Sequence, residues 1–165
     1  MKCSIELWLL YLPFVFKCVI RLVSPSRIFE LERLGRALFS GHVKKTLTDP
    51  RILPNAFMVN RKSESGISTN RISLAPLRLF SELGDMSAAE KSARQGRVDN
   101  FYGFAAFDGG VPQRIKLEDG FALLPKGIPT RSNPFHADIR LPPDRKKDYY
   151  LFIATELVRY SKFTR

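Results

Sequence analysis

Apolar and polar residues follow two rhythms along the chain, one helical and one extended. From Asp144 to Phe163 the positions Tyr150, Ile153, Ala154, Leu157, Val158 and Ser161 recur at the spacing of one helical face. Pro142-Pro143 blocks an earlier start, because proline lacks the N–H and its ring clashes with the preceding turn. Pro76 to Leu83 predicts a short helix that Gly84 closes. Ser87-Ala88-Ala89-Glu90 has the form of a capping box, so a second helix is expected from there to about Gln95, stopping at Gly96. Residues 24–37 carry Ile28, Leu31 and Leu34 at helical spacing and predict a further helix, which Gly35 weakens.

The extended rhythm dominates elsewhere. Phe101 to Phe107 is apolar on both alternating sides, which reads as a central core strand rather than a base-stacking surface. Ala56–Val59 and Ile67–Ile72 are shorter strand candidates. Arg114–Glu118 and Phe121–Leu124 flank Asp119-Gly120, a hairpin signal because the turn requires positive φ. Pro125, Gly127, Pro129 and Pro134 mark a loop, and Phe135–Leu141 is a last strand. Strands cluster and helices do not alternate with them. The expected fold is therefore α+β, a mostly antiparallel sheet with two or three helices on one face, plus an N-terminal helical extension. Residues 40–55, with Gly41, Pro50 and Pro54, read as a linker. This divides the chain into a hydrophobic segment (1–24), a short helix and linker (25–54) and a domain (55–165).

The first segment fits no simple membrane pattern. Leu7–Phe16 is a run of ten apolar residues, but Pro13 would kink a helix there, and Glu6, Lys17 and Arg21 interrupt the longer stretch 5–23. No small-x-small cleavage motif follows. Three readings stay open: contact with a membrane surface through residues 5–23, docking of those residues on a partner protein, or a poorly ordered extension.

Composition narrows the chemistry. The chain carries +11 from 27 Lys+Arg and 16 Asp+Glu, spread as +4, +3 and +4 over residues 1–50, 51–100 and 101–165. A diffuse basic excess of this kind favours a polyanionic partner, with nucleic acid or a nucleotide the leading expectation. Both cysteines, Cys3 and Cys18, precede the domain, which leaves it without a disulfide framework or a Cys-based zinc site and fits a cytoplasmic protein. The chain holds no phosphate loop, dinucleotide fingerprint, nucleophile elbow or His-Glu-x-x-His motif, so neither a cofactor nor a metal is expected.

Several constellations can carry chemistry. In a strand over 135–140, His136, Asp138 and Arg140 share one face while Phe135, Ala137 and Ile139 face the core. A histidine, a carboxylate and a guanidinium together can do acid–base work or bind phosphate; an ordinary solvated strand face has the same pattern. Asp144-Arg145-Lys146-Lys147 opens the last helix with cations where the helix dipole disfavours them, as an anion site would. Asn60–Arg71 combines Arg61 and Arg71 with hydroxyls and Gly66, a composition suited to a phosphate backbone or simply to a turn.

The pairing of Ser65–Pro76 (SGISTNRISLAP) with Asn133–Ile139 (NPFHADI) resembles a pattern in small bacterial proteins of uncharacterised activity. The resemblance covers about residues 55–162 and implies no fold or reaction, only that the two segments meet in space. The expected function is binding of an anionic partner through Arg61, Arg71, His136, Arg140, Arg145 and Lys146. One alternative is a phosphoester hydrolase or transferase with His136 as acid–base residue, an arginine stabilising charge, and Asp138 or Glu156 in support. Another is a structural or immunity-type interaction protein.

Overall fold

The computed structural model describes residues 26–44, 50–59, 66–130 and 133–165. In chain order the elements are β1 (Arg33–Phe39), β2 (Val43–Lys44), β3 (Arg51–Ile52), a 3-10 turn (Pro54–Phe57), β4 (Gly66–Asn70), α1 (Leu77–Gln95), β5 (Phe101–Asp108), α2 (Val111–Arg114), β6 (Pro125–Gly127), β7 (His136–Arg140), α3 (Lys147–Tyr160) and β8 (Lys162–Thr164). Six strands form one antiparallel sheet in the order β6-β7-β4-β1-β5-β8, and β2 pairs with β3 apart from it. The fold is α+β.

Strand alternation divides the sheet into two faces. Along the β1–β5 pair, Leu34 opposes Phe107 and Arg36 opposes Ala105 on one face, while Gly35 opposes Ala106 and Ala37 opposes Phe104 on the other. The first face packs against Ile153, Ala154 and Leu157 of α3 and against Phe57 of the 3-10 turn. On the second, Phe80 of α1 meets Phe104 and Phe135 edge-on, with ring centroids 6.3 Å and 5.5 Å apart. The helices thus cover both faces rather than the single face expected, which explains why Gly103–Phe107 are buried at every position.

The last helix buries Tyr150, Ile153, Ala154 and Leu157, four of the six positions that its periodicity marks. Other elements depart from expectation, each for a physical reason. Residues 33–39 form a strand, not the end of a helix over 24–37. β1 is buried on both sides, so its apolar residues lack a strand's polar alternation, and Leu31 is 90% exposed rather than part of a helical face. Because β1 lies inside the sheet, the sheet extends to residues well before Asn55. Gly84 does not end a helix and Ser87 does not begin one: α1 runs unbroken to Gln95, and Gly96 closes it at φ +64°. Asp119-Gly120 makes a turn with Gly120 at φ +71°, but its flanks are α2 and irregular chain rather than hairpin strands, and β6 lies inside the expected loop. Ala56 and Phe57 belong to the 3-10 turn.

Among the described residues no helix is long and apolar enough to cross a membrane. The segment 1–24 lies outside them.

Candidate polar site on the α1 face

The β4–β7 register decides which polar side chains meet. Asn70 opposes His136, Ser68 opposes Asp138 and Gly66 opposes Arg140, so the segments 65–76 and 133–139 do pair in space. Asn70 also opposes Gly35 of β1, which places Ser68, Asn70, His136, Asp138 and Arg140 on the face that α1 covers further along. Lys126 of β6 opposes Asp138 and joins them. The alternation expected for His136, Asp138 and Arg140 is present, and Ala137 and Ile139 are fully buried on the other face.

His136 is held at both ring nitrogens. Its Nδ1 lies 3.0 Å from the carbonyl oxygen of Ile128, and its Nε2 lies 2.9 Å from Ser68 Oγ and 3.4 Å from Asp138 Oδ1. A carbonyl only accepts, so in the neutral ring Nδ1 carries the hydrogen and Nε2 is left to accept the Ser68 hydroxyl. Both His136 and Asp138 are about one-fifth exposed, so the group is set into the surface yet open to solvent. At its edge Asn133 Nδ2 donates to Asn70 Oδ1 over 2.6 Å, fixing the turn that leads into β7. Arg140 and Lys126 are exposed, and among the described residues neither has a side-chain hydrogen bond or ion pair.

The other expected contact residues lie elsewhere. Arg71 is 4% exposed and donates to both carboxylate oxygens of Glu32, the Nη2–Oε2 contact at 2.9 Å, and to the Arg27 carbonyl oxygen at 3.0 Å. It is an interior ion-paired residue and presents nothing to an outside anion. Arg61 lies outside the described residues. Glu156 sits on α3, on the opposite face of the sheet from His136, 3.8 Å from Arg159. It does not support the imidazole.

Arg145 and Lys146 line a separate cleft of about 630 Å³ at the start of α3, together with Lys116, Glu118, Tyr149 and Phe152. Arg145 is already paired there, with Nη2 2.7 Å from Asp119 Oδ2, while the Tyr149 hydroxyl donates to Asp119 Oδ1 at 2.9 Å. The Asp119 carboxyl is held below its usual range, first by the Phe121 backbone N–H and then by Tyr149 and Arg145. Burial, followed by the Asp119 hydrogen bond, pushes the Tyr149 phenol up to about 12. Asp144 does not cap α3. It takes φ +54°, and Lys146 occupies the cap position without a side-chain bond. Cations at this helix start therefore serve at least one internal contact.

Sequence reasoning missed Ser68 and Lys126. Ser68 belongs to the hydroxyl-rich segment before Arg71, but only the strand register places it against Asp138 and beside His136. Lys126 falls in a stretch whose prolines and glycine read as loop.

Among the described residues no three His, Cys, Asp or Glu side chains stand together as a metal site. No family model matches the chain, and no curated protein or solved structure matches it either.

Proposed function

We propose that the protein binds a phosphate-bearing partner, nucleic acid or a nucleotide, on the polar part of the α1 face formed by β4, β7 and β6. The observation that carries this reading is the pair of exposed cations there. Lys126 and Arg140 neighbour Asp138 on one face, and both are without a partner among the described residues. The two cations outnumber the one carboxylate beside them, Asp138, whose Oδ1 lies 3.4 Å from His136 Nε2. Ser68 and His136, hydrogen-bonded to each other beside these cations, add neutral polar groups to the same face. The diffuse charge of +11 would draw a polyanion to the molecule, and this face would give it a seat.

The test is fluorescence anisotropy with a labelled single-stranded oligonucleotide, read across a salt series with ATP as competitor. The double variant Lys126→Gln/Arg140→Gln is expected to weaken binding at least tenfold. It should also flatten the dependence of log affinity on log salt by about 0.7 per lost phosphate contact. The distant charge-matched variant Arg78→Gln/Arg159→Gln should change neither as much. Equal losses in the two variants would mean that net charge alone attracts the oligonucleotide, and the site reading would fail. Competition by ATP would favour a nucleotide ligand over a polymer.

The hydrogen bond between Ser68 and His136 favours a second reading, phosphoester chemistry at the same place.

A further inference from the structure

We infer that Ser68 and His136 are a nucleophile–base pair that transfers a phosphoryl group from a phosphate ester to Ser68 and then to water. The inference rests on the phosphate-binding reading of the same face. Its ground is the geometry of the imidazole. Ser68 Oγ is 2.9 Å from His136 Nε2, within the range for proton transfer between nucleophile and base. Ile128's carbonyl oxygen, 3.0 Å from Nδ1, holds the ring and keeps the hydrogen on the nitrogen remote from the serine. A serine hydroxyl facing a fully accepting Nε2 is in the arrangement that nucleophilic catalysis requires.

Asp138 completes the site in an unusual way. Its Oδ1 lies 3.4 Å from Nε2, the nitrogen that takes the serine proton, rather than beside Nδ1. A carboxylate there opposes the lone pair of the neutral ring and stabilises the imidazolium that forms once the proton arrives. Lys126 and Arg140, beside Asp138 on the same face, supply positive charge to the non-bridging phosphate oxygens as negative charge shifts among them. Gly66, register partner of Arg140, adds no side chain next to Ser68.

In the first step Ser68 Oγ bonds to phosphorus and its proton moves to His136 Nε2. The bond from phosphorus to the leaving oxygen breaks, and that oxygen takes the proton from Nε2. The enzyme then carries a phosphoserine ester. In the second step a water gives its proton to Nε2 while its oxygen bonds to phosphorus. The P–Oγ bond breaks, and Ser68 regains its hydrogen from the imidazolium.

The experiment uses the full chain with bis(p-nitrophenyl) phosphate and p-nitrophenyl phosphate as probes. Release of nitrophenol is followed, and acid-quenched samples are examined by peptide mass spectrometry. The expected result is slow turnover of one probe and a phosphoryl adduct on Ser68. Ser68→Ala and His136→Gln should each reduce turnover at least a hundredfold, with the melting temperature of Ser68→Ala close to the parent. Ser68→Cys, which keeps the shape of the site, guards against a folding artefact and should lose the O-linked adduct. Turnover retained by a folded Ser68→Ala would overturn the nucleophile assignment. No turnover of either probe, with oligonucleotide binding still dependent on Lys126 and Arg140, would overturn this inference and leave the binding reading standing. Loss of that dependence as well would overturn both.

Discussion

Arg71 and Glu32 form a two-point ion pair, with side chains 4% and 2% exposed, that ties the end of β4 to the turn before β1. Removing one partner strands the other charge in the interior, where it has lost its water. Glu32→Ala should therefore cost about 3–5 kcal/mol in urea unfolding, a scale typical of broken buried pairs. The apolar double variant Glu32→Leu/Arg71→Met should lose less than either single change. A cost below about 1 kcal/mol for Glu32→Ala, the scale of a solvent-exposed pair, would show that water reaches the pair.

Gly84 is where α1 comes closest to β5. A Cβ there would lie 2.6–2.7 Å from three ring atoms of Phe101. Alanine raises helix propensity by about 1 kcal/mol, yet overpacking a contact this tight costs about 1–3 kcal/mol. Gly84→Ala is expected to lower the melting temperature, and pairing it with Phe101→Leu should restore part of the loss. A raised melting temperature for Gly84→Ala alone would mean that the Phe101 ring swings aside freely.

His42 gives the fold an acid sensitivity of known sign. Its Nδ1 accepts the Phe39 backbone N–H at 3.2 Å, which requires an unprotonated nitrogen. Burial, then Arg36 and Lys91, lower its pKa from 6.5 to about 4, with Asp99 opposing them. Below pH 6.5 the unfolded chain takes up a proton that the folded chain refuses, so stability falls as pH drops from 6.5 toward about 4. Above that window the contribution is complete. In His42→Asn the difference in unfolding free energy between pH 7 and pH 5 should shrink. An unchanged difference would place the acid sensitivity on other groups.

The elements that the sequence disclosed have an unbroken pattern, one-sided in α3 and β7 and apolar on both sides in β5. α3 turns one apolar face to the sheet, and the His136–Arg140 alternation is equally clear. β1 is different: Leu34 and Leu38 face α3 while Gly35 and Ala37 face α1, so no polar rhythm betrays the strand. Gly84 looked like helix punctuation because local chemistry cannot reveal that Phe101 needs the space. Asp119-Gly120 keeps its turn, but besides the Phe121 N–H the aspartate's partners are Arg145 and Tyr149, 26 and 30 residues away. The site divided along the same line. His136, Asp138 and Arg140 were legible from alternation within one strand, whereas Ser68 and Lys126 became visible only through cross-strand register. Arg71 looked like an anion ligand because its buried counterion lies 39 residues away.

The two basic regions make opposite predictions about where a phosphate lands, and one measurement separates them. In a ¹⁵N-amide NMR titration of the full chain with a short single-stranded oligonucleotide, saturating shifts should centre on Ser68, Lys126, His136, Asp138 and Arg140. Lys116, Arg145 and Lys146 at the α3 cleft should move little. Shifts centred on the cleft, or spread evenly over the basic surface, would contradict the assignment of the β4–β7–β6 face as the binding site.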